Sequence, residues 1–130
     1  MRTLAPSAPG YRPLYEGGPA ERDEAYHQGT VWPWLLGAYG EAVLRAAWDV
    51  PGSVRELLRT IRPLFAQHLG DAGIGSVSEI FRRRSPPSLP NGCIAQAWSV
   101  AECLRLLHLL KEAAPGVYAE WEANARKGGN

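Results

Sequence analysis

The chain has 130 residues, 45% of them hydrophobic and 21% charged, which is enough for one small domain with an ordinary globular core and excludes a fibrous or disordered composition. A formal net charge of +1 provides no global field to recruit nucleic acid or an acidic membrane surface. The two cysteines, Cys93 and Cys103, make no disulfide framework, and no stretch is long and apolar enough for a membrane span.

Met1 to Gly10 lacks the apolar core of a secretory signal, so the expected location is cytoplasmic, with both thiols reduced and mostly buried. Five Trp and five Tyr stand against two Phe. Trp and Tyr combine flat apolar faces with polar tips, which suits partly wet surfaces and sugar stacking as well as plain core packing.

Residues 1–30 carry Pro6, Pro9, Pro13, Pro19, Gly10, Gly17 and Gly18 and hold neither a helical nor a strand period, so they read as a long irregular segment. A first helix is expected from near Thr30 or Trp32, with Thr30 as cap and Pro33 in the first turn, to near Asp49. Gly37 and Gly40 inside it suggest close packing against a neighbour. A second helix follows Ser53 as N-cap with Glu56 as capping-box partner, and Val54, Leu57, Leu58, Ile61, Leu64, Phe65 and Leu69 form its apolar stripe. Pro63 predicts a kink or a break, and Gly70 an end.

Residues 71–92 form a second irregular stretch in which Val77, Ile80 and Phe81 suggest a very short strand. A third helix places Ile94, Ala97, Trp98, Ala101, Leu104, Leu107 and Leu110 on one broad face and stops at Pro115 and Gly116. Val117 to Lys127 reads as a short, frayed last helix. His68 and His108 are expected on helix surfaces. Three to four helices with long irregular loops and no hairpin signal make the class all-α, and the oversized connections point to a sector of a larger helical structure whose loops gather on one rim.

Three segments carry candidate chemistry. Tyr26-His27-Gln28-Gly29-Thr30-Val31-Trp32-Pro33-Trp34 sets an imidazole, an amide and two indoles around one helix start; read alone, a helix terminus with core tryptophans is the favoured account of it. Ser76-Val77-Ser78-Glu79-Ile80-Phe81 sets a carboxylate among small and apolar residues in a Gly-rich loop, a fair general base or a plain solvated Glu. Asn91-Gly92-Cys93-Ile94-Ala95-Gln96-Ala97-Trp98-Ser99 brings Gln96 and Trp98 to the entrance of the third helix. No metal-ligand spacing, phosphate loop or nucleotide fingerprint is present, so neither metal nor cofactor is expected.

Together these blocks resemble the C-terminal catalytic domain of the glycogen debranching enzymes, the amylo-α-1,6-glucosidase family, over residues 2–108. Arg2-Thr3-Leu4-Ala5-Pro6 and Tyr15-Glu16-Gly17 extend the match upstream. The resemblance implies a partial (α/α)6 toroid related to the glucoamylases, divided here into an extended loop segment (1–30), a helical sector (31–112) and a tail (113–130). It implies inverting hydrolysis of α-1,6-glucosidic branch points in glycogen-type glucans by two carboxyl groups. One protonates the leaving oxygen; the other activates water from the opposite face, about 6.5–9.5 Å away.

By position Glu79 matches the base, while His27, Gln28, Trp32, Trp34, Gln96 and Trp98 match a glucose subsite. The family's acid lies upstream of the matching region, and Glu16, Glu21 and Asp23 match no acid motif. The chain is therefore expected to be a C-terminal fragment, inactive alone, whose partners are a branched α-glucan and the N-terminal half of the toroid. A non-catalytic carbohydrate-binding or assembly module is the alternative. The family usually continues past the Phe with Asp-Gly and a further acid; here Arg82-Arg83-Arg84 sets three positive charges near the base.

Overall fold

The computed structural model describes residues 1–82 and 89–127, although nothing is described of the side chains of 82, 126 and 127. Within them the chain forms helices α1 (Pro19–Ala25), α2 (Leu35–Ala46), α3 (Val50–Ala66), α4 (Ala97–Ala113) and α5 (Pro115–Lys127). Strands β1 (Ile80–Arg82) and β2 (Leu89–Asn91) pair antiparallel, with Ile80 opposite Asn91 and Phe81 opposite Pro90. The protein is mostly helical, consistent with a sector of a helical toroid.

The core lies among the four long helices. Val54, Leu57, Leu58 and Ile61 of α3 meet Leu106, Leu110 and Ala114 at the α4–α5 corner, all buried. The predicted α3 stripe is thus buried from Val54 to Ile61; Leu64 and Phe65 are half-buried, and Leu69 lies beyond the helix. Helix α2 approaches α4 closely because it carries Gly37 and Gly40: a Cβ at Gly40 would collide with Leu106, and one at Gly37 with the Glu102 carboxylate. The same contact is bridged by Arg105, whose Nη1 donates to Glu41 Oε2 at 2.7 Å and whose Nη2 donates to Glu102 Oε2 at 2.9 Å. The partly exposed pairs of this cluster specify geometry more than they stabilise.

Several boundaries differ from the sequence reading, each for a local reason. Helix α2 starts at Leu35, because the Thr30 hydroxyl donates to the Tyr26 carbonyl at 2.6 Å instead of capping a helix. Helix α3 starts at Val50 and is capped by Asp49, whose Oδ1 accepts from the Gly52 N–H at 2.9 Å. Ser53 therefore lies inside the helix, and the Glu56 carboxylate pairs with Arg59. Pro63 does not break α3; the helix runs on to Ala66, less than a turn later, and a 3-10 turn at His68–Gly70 follows.

Helix α1 falls in the segment expected to be irregular. Gly18 precedes it, Pro19 occupies its first turn and Glu21 adds an acid there, a short but regular N-terminal pattern. Strand β1 falls where Ile80 and Phe81 suggest a very short strand, while its antiparallel partner β2 has no signal in the sequence. On α4 much of the apolar face read from the sequence lies outside: Ala97, Trp98, Ala101 and Leu104 are exposed and Leu107 is half-buried, while Leu110 is buried as expected, together with Ser99, Cys103 and Leu106. Cys93 is exposed rather than buried. No helix among the described residues is long and apolar enough to cross a membrane.

Candidate active site

Backbone pairing assembles the site from three distant segments. Val31 and Phe81 exchange both backbone hydrogen bonds, at 3.1 and 2.8 Å, and Val31 also pairs with Arg2. This anchors the Tyr26–Trp34 segment beside β1, whose first residue, Ile80, directly follows Glu79. Glu79 itself is tied to the α4 entrance by its N–H, which donates to the Cys93 carbonyl at 2.8 Å. The Ser78 hydroxyl donates to the Ile94 carbonyl at 3.2 Å.

Among the described residues the half-buried Glu79 carboxylate accepts from three donors. Tyr26 Oη donates to Oε1 at 2.5 Å, Gln96 Nε2 donates to Oε1 at 3.1 Å, and the Cys93 N–H donates to Oε2 at 3.1 Å. Gln96 is the residue before α4 and makes no side-chain cap bond; its amide serves the carboxylate instead. The turn at Gly92 has φ +67°, a conformation natural to glycine, and a Cβ there would collide with Glu79 Oε2. Burial, reinforced by the hydrogen bond to Glu79, pushes the Tyr26 phenol well above its ordinary value of 10.0, so the hydroxyl stays a donor at neutral pH.

An aromatic wall extends from this carboxylate. The Tyr26 ring lies 4.8 Å from His27 and 4.9 Å from Trp32, and His27 stacks on Trp32 at 5.2 Å with 12° between planes. Trp32 meets Trp98 edge-on at 6.2 Å, and Trp98 stacks on Trp34 at 5.4 Å. Trp32 is 2% exposed and Trp98 48%, so the inner indole is a fixed wall and the outer one offers a free face. The Trp32 Nε1–H donates to Thr30 Oγ1 at 2.9 Å, which locks the ring.

Of the seven residues singled out from the sequence, the structure thus brings together Glu79, Gln96, His27, Trp32, Trp98 and Trp34. Gln28 stands apart: it is exposed, its side chain lies next to Gly10, and its carbonyl accepts from the Arg12 N–H at 2.5 Å. Tyr26 stands out in the sequence only as the first residue of its motif, yet it is the closest partner of the carboxylate among the described residues. Tyr15, 5.5 Å from Tyr26, continues the wall. Arg83 and Arg84, and the Arg82 side chain, lie outside the described residues. A groove of about 600 Å³ between α3 and α5, lined by Arg55, Arg62, Phe65 and Trp121 among others, includes none of these residues.

His68 supports the loop from below. It is buried, not on a helix surface as expected; Nε2 accepts the Ser78 N–H at 3.0 Å, and the ring packs edge-on against Phe81 at 4.6 Å. An accepting Nε2 requires the neutral imidazole, and burial lowers the pKa from its ordinary value of 6.5, with Asp71 opposing. Protonation therefore favours the unfolded chain: stability is complete above about pH 6.5 and falls on acidification towards the lower folded-state value. Urea midpoints taken from about pH 7.5 down to 5.5, above the carboxylate range, are expected to fall in the wild type and to fall less steeply in His68→Gln, where the buried amino terminus, with its pKa lowered to about 6, keeps part of the slope. Equal slopes in the two would remove this role.

Fold and site together define a helical protein with a hydrogen-bonded carboxylate set against an indole wall. The chain belongs to the amylo-alpha-1,6-glucosidase family, whose model matches residues 1–105. No curated protein and no solved structure matches it. Among the described residues there is no group of His, Cys, Asp and Glu suited to hold a metal ion.

Proposed function

We propose that this chain supplies the general base and part of the glucose subsite of an inverting α-1,6-glucosidase acting on branch points of glycogen-type glucans. Glu79 is the base; His27, Trp32, Trp34, Gln96 and Trp98 bound the subsite, and Gln28, which stands apart from them, takes no part in it. The acid carboxyl group that protonates the leaving oxygen comes from the remaining part of the toroid. The observation that carries this reading is the single carboxylate held by Tyr26, Gln96 and the Cys93 amide beside the Trp32–Trp98 wall. Stacking indoles take the C–H faces of a glucose ring, and the adjacent carboxylate can draw a proton from water. Free thiols at Cys93 and Cys103 accord with a reducing compartment, the cytoplasm.

The exposed Trp98, stacked on Trp34, also favours a second reading, a sugar-binding module without turnover. Titration with isomaltose is expected to give a saturable change in Trp fluorescence that weakens in Trp98→Ala. Glucose release from a branched limit dextrin, with the rest of the toroid supplied, separates catalysis from binding alone. A fluorescence signal unmoved by isomaltose, maltose and limit dextrin would sink both readings.

A further inference from the structure

Resting on the hydrolytic reading, we propose that Tyr26 is the positioning residue of the base: with Gln96 it saturates Glu79 Oε1 and so leaves Oε2, at the exposed Gly92–Cys93 turn, as the oxygen that takes the proton from water. A carboxylate oxygen offers about two lone-pair directions. Oε1 spends both, one on the Tyr26 hydroxyl at 2.5 Å and one on Gln96 Nε2 at 3.1 Å. Oε2 accepts the Cys93 N–H, at 3.1 Å, and no second donor among the described residues, and we take its remaining direction as the one that meets water. Gly92 and Cys93 are both exposed, which lets water reach that side.

In the step itself a water O–H bond breaks and its proton passes to Oε2. The water oxygen bonds to the anomeric carbon as the bond to the branch oxygen breaks. That oxygen receives its proton from the partner carboxylic acid, and the neutral Glu79 later returns its proton to solvent. The Tyr26 bond is the shortest and is made to a charged acceptor, the strong class of hydrogen bond. The ring is held in turn between Tyr15, His27 and Trp32, so the carboxylate is oriented by a group that cannot swing.

Two readouts test this on the full chain. In an ultraviolet titration of tyrosinate, Glu79→Gln is expected to let one tyrosine ionise at lower pH than in the wild type, and that tyrosine is absent from Tyr26→Phe. A tyrosine spectrum unmoved by Glu79→Gln overturns the positioning, whatever the activity. With the rest of the toroid supplied, Tyr26→Phe is expected to lower kcat roughly 10- to 100-fold, the worth of a hydrogen bond to a charged group, with KM within about twofold. An unchanged kcat also overturns it. A wild-type chain that releases no glucose under those conditions overturns the hydrolytic reading and the proton-acceptor assignment, while the tyrosine titration still decides the Tyr26–Glu79 contact. Phe keeps the ring stack, and should it nonetheless misfold, the Glu79→Gln titration stands alone.

Discussion

Glu79→Gln, assayed with the rest of the toroid supplied, is expected to lower glucose release from a branched limit dextrin roughly 10²- to 10⁴-fold, the usual contribution of a general base. Gln keeps the length and shape of the side chain but cannot take a proton. Its amide can still accept from Tyr26, although its NH₂ must then face the Cys93 N–H, a donor against a donor. A small loss of stability accompanies the loss of turnover, and isomaltose binding by the indole wall persists. Proton NMR of the sugar released by the wild type is expected to show the β anomer first, as inversion requires. Glucose release undiminished in Glu79→Gln would remove the base assignment, and α-glucose as first product would remove the inverting mechanism.

The second large effect is on stability. Leu110 is fully buried and sits in the cluster of Val54, Leu57, Leu58, Ile61, Leu106 and Ala114. Leu110→Ala removes apolar contacts and leaves a cavity that rigid helices fill only in part, at about 2–5 kcal/mol. A small domain has about 5–15 kcal/mol in total, so the loss is a large share. Leu104, on the outer face of the same helix, is 60% exposed, and Leu104→Ala is expected within about 0.5 kcal/mol of the wild type. Urea unfolding with unchanged m-values measures both. If the two leucines cost the same, the orientation of α4 described above is wrong.

That pair of leucines also marks where sequence reasoning succeeds and fails. On α3, charged residues Arg55, Glu56, Arg59 and Arg62 separate the apolar positions, so the 3.6-residue period selects one face, and that face is buried. Helix α4 is apolar around most of its circumference, from Ala97 and Trp98 to Leu109 and Leu110. Period alone cannot choose among its faces. The choice is made by the partners: Gly37 and Gly40 of α2 admit Leu106 and Glu102, turning Ser99 and Cys103 inward and Leu104 outward.

The chemistry was legible as residue types and not as contacts. The carboxylate, the amide and the indoles stand in three recognisable blocks. Which tyrosine holds the carboxylate depends on a contact spanning 53 residues, which no local spacing encodes. Gln96 at a helix entrance fits a cap, and its use against Glu79 follows from the loop register set by the Glu79 N–H on the Cys93 carbonyl and the Gln96 N–H on the Val77 carbonyl. His68 illustrates the converse: its spacing fits a helix surface, but the chain leaves the helix at Ala66 and folds the imidazole under the loop.

The doubly bonded Val31–Phe81 pair has a consequence for what surrounds it. It welds the indole wall to the base at their roots, so α2 and α3 form a closed excursion that begins and ends at that weld. The far tip of the excursion carries Trp48, fully exposed to solvent. The entropy of closing a loop rises only slowly with its length, so residues added or removed at that tip alter the outer rim while the span between carboxylate and wall stays as the weld sets it.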